Sequence, residues 1–278
     1  MTFYQIPNRK KLFNFNATLL IILINIFCFF VFSALIYFNP SFVDYIALKS
    51  SNIINNFYLW TFLTSMFMHS GFFHLFANMI SLFFVGSLVE KIIGKKRYVW
   101  FYLISGIFAG LFFALSSYFF GGSELGARIF GSPESFAVGA SGAIFGLLGL
   151  LAVLIPHKNI YLIAGPLIAI ALQSVAGIFF SGNILGFIDT FVTIYIFIAI
   201  FSMLSFNNHI RRISIPLELQ FWILPFFAIV PLILISFFIE LPIGNMAHLG
   251  GLIAGLIYGF YLRKKYENKT KYISKYFS

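Results

Sequence analysis

Long uncharged runs alternate with short polar clusters along this chain, and the run lengths set the first expectation. A helix needs about 20 apolar residues to cross the hydrocarbon core. Runs of that order fall at residues 16–38, 72–90, 98–120, 141–156, 160–180, 184–205, 221–239 and 243–262. The pattern predicts eight transmembrane helices, the fourth a short one, with both termini on one side. Charge tests the count, because Lys and Arg gather in cytoplasmic loops. With the N-terminus inside, 16 of the 18 Lys and Arg residues fall on the cytoplasmic side; only Lys49 and Arg128 do not. The expected fold is an all-α polytopic membrane bundle. It has a cytoplasmic segment over 1–15, a membrane domain over 16–262 and a basic cytoplasmic tail over 263–278.

Composition agrees. Hydrophobic residues make up 60% of the 278 and charged residues 9%, with 40 phenylalanines, against about 25% charged in ordinary soluble domains. The net charge of +10 sits in loop clusters, without the basic, aromatic-interleaved stripes of a nucleic-acid binder, so no nucleic-acid partner is expected. The one cysteine, Cys28, allows no intramolecular disulfide. The first run exceeds a signal-peptide core and is kept in the mature protein. The external excursion 39–71 holds a semi-apolar stretch, residues 58–63, placed in the outer leaflet. Residues 121–140, rich in Gly and Ser, are expected to cap the fourth helix. No second domain is evident.

Three polar patches interrupt the apolar helices, where such residues are costly and point to function. His69 precedes His74 and Asn78, which lie four apart and share one helix face. Gly139-Ala140-Ser141-Gly142 opens the fourth helix, and His248 with Gly250 and Gly251 lies one turn into the last. The topology brings all three to the outer leaflet. Singly, each has an ordinary explanation: a helix cap, an interfacial histidine, a packing stripe. Together they do not. Gly251, Gly255 and Gly259 share the face of His248, and Gly142, Gly146 and Gly149 form a matching stripe behind Ser141. Facing glycine stripes let helix axes approach closely enough for a Ser–His hydrogen bond. Ser141 is then the candidate nucleophile and His248 its base. The Ser141 N–H, His74 and the Asn78 amide are the available oxyanion donors. No carboxylate lies at helical contact spacing from His248, Glu240 being the nearest on its N-terminal side, so a dyad is expected.

These residues resemble the rhomboid family of intramembrane serine proteases, of the polytopic prokaryotic kind. The match rests on His69, His74 and Asn78, on Gly139-x-Ser141-Gly142, and on Ala247-His248-x-x-Gly251-x-x-x-Gly255. Glu90 with Lys91 and Gly94 adds to it. The resemblance implies cleavage of single-pass membrane-anchored proteins near the outer face of a cell membrane, with small residues favoured at the cut and no metal or other cofactor. It also implies that Ser141 is the nucleophile, His248 the base, and His74 and Asn78 the oxyanion donors. Three departures stand out. Trp60 is followed by Thr61 where the family commonly has arginine. Phe145 replaces a usual tyrosine, keeping a stacking surface for His248 without the hydroxyl. Residues 160–205 read as a helical hairpin inserted into a six-helix core, expected to add lipid-facing bulk or a homo-oligomer contact, with its tip at Ser181-Gly182-Asn183 facing outward.

Competing classes fit less well. A nucleophile elbow needs glycine two residues after the serine, where Ala143 stands. No His-Glu-x-x-His zinc motif occurs. A transporter lacks its midplane charges, Asp189 being the only acid inside a span. A non-enzymatic rhomboid-like protein that routes membrane clients would typically lack the serine or the histidine.

Overall fold

The computed structural model describes residues 16–203, 207–238 and 244–277; the expected segment 1–15, with Arg9, Lys10 and Lys11, and also Glu240, lie outside them. Helix α1 (Ala17–Phe38) opens the bundle. The excursion after it folds into α2 (Phe42–Ile46), strand β1 (Leu48–Lys49), α3 (Ser50–Asn56) and α4 (Thr61–Thr64). Helices α5 (Phe72–Ser81) and α6 (Ser87–Ile93) form one rod through a π-helical turn at Leu82–Gly86. Gly94, at φ +85°, reverses the chain into α7 (Lys95–Phe120). Short α8 (Glu124–Phe130) and β2 (Phe136–Ala137) lead to α9 (Ser141–Leu154). Strand β3 (Asn159–Ile163), α10 (Ala164–Phe179), α11 (Gly182–Met203), α12 (Asn208–Arg211) and β4 (Pro216–Gln220) follow, then α13 (Leu224–Ser236), α14 (Asn245–Lys265) and α15 (Glu267–Phe277).

Among the described residues, five helical segments are long and apolar enough to cross a membrane: 17–38, 72–93, 95–120, 182–202 and 245–265. Helices α9, α10 and α13 are apolar but shorter, and they stand where the remaining runs were expected. The molecule is a multi-pass integral membrane protein. One expectation is corrected. The run over 160–180 is not helical throughout, because residues 159–163 are a strand paired antiparallel with 216–220, Asn159 opposite Gln220 and Ile163 opposite Pro216. An apolar run does not by itself distinguish helix from strand, and Ile160, Tyr161 and Ile163 suit a pleated ribbon. The long excursions are structured too, and β1 joins them to β2 through Leu48–Ala137 and Lys49–Phe136 pairs.

Helices α7, α9 and α14 form the centre. A Cβ on Gly251 would run into the Gly142 carbonyl oxygen, and one on Gly255 into that of Gly146. These two helices therefore meet backbone to backbone. Gly106 of α7 similarly receives Met66 and Ala143, and Gly250 of α14 receives Phe112. Leu147, Leu150 and Leu151 of α9 and Tyr98 and Tyr102 of α7 are fully buried in the core, with Tyr98 Oη turned toward Gly86.

Glu90 of α6 fastens α1 to that helix. Its carboxylate accepts from the backbone N–H groups of Ala17 (2.8 Å) and Thr18 (2.9 Å) and from the Thr18 hydroxyl (2.8 Å). An anion there satisfies orphan donors at a helix start and complements its dipole. Helices α10 and α11 pair through Gln173 Nε2, which donates to Asp189 Oδ1 at 2.8 Å. Their turn is Phe180-Ser181, with Gly182 at φ +61° opening α11. The pair docks on α5, where the Phe76 ring stacks on Phe197 and Phe201 at 6.0 and 5.4 Å.

Candidate active site

Ser141 is the first residue of α9, and the turn before it is built to present it. Gly139 adopts φ +116°, a region that L side chains rarely enter. Its N–H donates to the Ser65 carbonyl at 2.9 Å. A Cβ at this position would meet the His74 ring at 2.8 Å, so Gly139 also makes room for that histidine. Ala140 supplies no capping side chain. The first helical hydrogen bond of α9 runs from Ile144 N–H to Ala140 O at 3.0 Å. The amides of Ser141, Gly142 and Ala143 thus lack intrahelical acceptors at the positive end of the helix.

His248 comes from the first turn of α14, across the glycine contact. Its Nε2 lies 2.8 Å from Ser141 Oγ. Phe145, one turn after the serine, stacks on the imidazole with ring centroids 4.3 Å apart and planes 9° from parallel. The other ring nitrogen, Nδ1, is buried without a hydrogen-bond partner among the described residues. For Ser141 Oγ–H to donate, Nε2 must be bare and Nδ1 must carry the proton. The site is deep. Gly142 abuts Ala109 of α7, and eleven more residues, about 16 Å of helix, carry α7 on to its end at Phe120.

The other predicted residues fall into three groups. His74 and Asn78 share the α5 face toward Gly139: His74 Nδ1 is 3.1 Å from Ser70 Oγ, and Asn78 Nδ2 donates to His74 O at 2.8 Å. His69 sits behind them, its ring edge-on to His74 at 5.1 Å, with both nitrogens buried and unpartnered among the described residues. Gly142, Gly251 and Gly255 form the helix contact already described. Trp60 and Glu90 act elsewhere. Trp60 Nε1 donates to Tyr45 O at 2.8 Å, and its ring stacks on Tyr58 at 4.8 Å, bracing the excursion; Glu90 caps α1.

Thr61, at the position of the missing arginine, is fully buried and donates to Tyr58 O at 2.6 Å. Sequence reasoning overlooked the neighbouring clamp. Lys49 Nζ lies 2.7 Å from Glu134 Oε2, 3.6 Å from Asp44 Oδ1 and 5.4 Å over the Phe136 ring. The hydrogen bond between them raises the Lys49 pKa and lowers that of the Glu134 carboxyl. It ties the first excursion to the segment that delivers Ser141. A signal was present, since Lys49 is one of two basic residues on the wrong side of the charge rule.

Fold and site together define a polytopic helical membrane protein with a serine–histidine pair sunk into its bundle. A family model described as Rhomboid domain matches residues 56–199 and 192–265. That is well over half of the chain, which therefore belongs to the rhomboid family. It is 37% identical over 116 residues to RHOMBOID-like protein 1 of Arabidopsis thaliana, covering 41% of this chain and 26% of that protein. RHOMBOID-like protein 5 of the same plant is 39% identical over 103 residues, 37% of this chain and 29% of its own length. A further Arabidopsis relative, named Inactive RHOMBOID-like protein 8, is 34% identical over 148 residues, 53% of this chain and 38% of its own. The matched stretch thus spans well under half the length of each of these relatives.

Proposed function

We propose that this protein is an intramembrane serine endopeptidase that cleaves membrane-anchored proteins near the outer face of a cell membrane, with both its termini cytoplasmic. The observation that carries the reading is the 2.8 Å approach of His248 Nε2 to Ser141 Oγ across two facing glycine stripes. Family membership supports it. In this reading Ser141 Oγ attacks the scissile carbonyl as its proton passes to His248 Nε2. The resulting oxyanion lies toward the free amides at the start of α9, with His74 and Asn78 as side-chain donors. His248 then protonates the leaving amine. Water attacks the acyl-serine, giving its proton to the same nitrogen, and Ser141 recovers its hydrogen. Phe145 holds the imidazole plane in the orientation that a third, acidic member would otherwise fix.

A fluorophosphonate serine-hydrolase probe tests this on the purified protein. Labelling of the wild type that Ser141→Ala removes is the expected result. Absence of labelling in a folded protein would turn the reading toward a rhomboid without catalysis; one relative is named inactive.

A further inference from the structure

We propose that α15 is an in-plane anchor that docks on anionic phospholipid headgroups at the end of the bundle remote from Ser141. Helix α14 ends at Lys265, and α15 begins after a single intervening residue, Tyr266. It does not extend the axis of α14. Ile273 packs against the core cluster that includes Leu150, Leu151 and Leu154 of α9, and Thr270 is buried. Because α9 runs alongside α14, that contact requires the chain to fold across the helix ends, roughly parallel to the membrane plane.

Folding across divides α15 into two faces. Thr270, Ile273 and Ser274 turn inward, while Lys269, Lys271, Tyr272, Lys275 and Tyr276 stay exposed. The two tyrosine rings stack with centroids 6.4 Å apart. A stripe of lysines beside aromatic rings is the pattern of a helix lying in a headgroup layer.

The surroundings share one sign. Arg97 Nη2 donates to Tyr266 Oη at 3.2 Å, and its guanidinium lies 5.1 Å over that ring. Lys95–Arg97 at the start of α7 and Arg263–Lys265 at the end of α14 therefore form one collar with α15. The acids nearest in sequence are already committed: Glu90 to the α1 start, and Glu267 to Lys271 at 2.6 Å. Segments 95–120 and 245–265 are long and apolar enough to span the membrane, so their basic ends stand at headgroup level. Over residues 95–97 and 263–277 the sequence holds nine basic residues against one acid, Glu267. Charge complementarity commits the collar to an anionic lipid surface.

The test uses the full-length protein in nanodiscs of phosphatidylcholine alone or with added phosphatidylglycerol, read by amide exchange over residues 267–277. Exchange is expected to slow at least tenfold in the anionic discs, each lysine near such a surface counting for about a factor of five. Lys269→Gln with Lys275→Gln should remove most of that difference while leaving exchange in α9 and α14 unchanged. Glu267→Gln, which releases Lys271, should enlarge it. Inorganic phosphate added to neutral discs should not reproduce it. Equal exchange in both lipids, a difference insensitive to the lysines, or full replacement by free phosphate would each overturn the proposal.

Discussion

At the scale of single residues, the chemistry proposed rests on Ser141 and His248, which meet at 2.8 Å from two different helices. Ser141→Ala and His248→Ala should each abolish cleavage of a reporter transmembrane substrate while leaving thermal stability near wild type. Each removes a reacting group and leaves the glycine contact intact. Substantial turnover by either variant would end the dyad assignment. Removing one oxyanion donor typically costs about 10²–10³ in turnover. Asn78→Ala should fall at the low end, because its amide also serves its own helix by donating to His74 O. His74→Ala should cost at least as much. Phe145→Leu keeps bulk but removes the stack on His248. Aromatic pairs contribute about 0.5–1.5 kcal/mol beyond area burial, so a drop in kcat of up to about tenfold is expected.

At the scale of elements, the contact between α9 and α14 decides whether those side chains meet. Gly251→Val would drive a branched side chain into the Gly142 carbonyl. Displacement by about 1 Å can cost 10²-fold in rate, so activity should vanish in preparations that still elute as folded protein. A fully active Gly251→Val enzyme would show that this glycine does not set the crossing. The excursion clamp is weaker. Lys49 and Glu134 pair near the surface, where solvent and salt screen their attraction. Lys49→Gln should therefore lower Tm by little, yet speed proteolytic nicking between 39 and 71. The sign of the pH effect follows from Glu134. Its carboxyl titrates below its usual range, so the clamp holds at neutral pH and is lost as pH falls through that lowered value. Nicking should accelerate only in acid.

At the scale of the whole molecule, orientation becomes testable through the insert. The proposed topology runs α9 and α14 in the same direction, which requires an odd number of crossings between them. In a Cys28→Ser background, Ser181→Cys should react with an impermeant thiol reagent from outside. His209→Cys should react only after permeabilisation. The opposite pattern would overturn this topology, and the proposed reaction at the outer face would fall with it.

Much of this was legible in the sequence because it depends on local sums. Apolarity accumulated over about 20 residues marks a membrane segment whatever it packs against. The four-residue spacings of His74 with Asn78 and of Gly251 with Gly255 fix a shared helix face before any neighbour is known. Other features depend on partners distant in the chain. Residues 159–163 become strand because β4 offers them a hydrogen-bonding edge, a choice that their apolarity leaves open. Glu90 reads as one charge near a helix end until α1 brings three donors to it. The pairing of Lys49 with Glu134 needs β1 and β2 in register. Ser141 and His248, 107 positions apart, are named by local pattern. Only the packing of α9 on α14 places them at hydrogen-bonding distance, because that distance is set by backbone contact between helices, which no local period specifies.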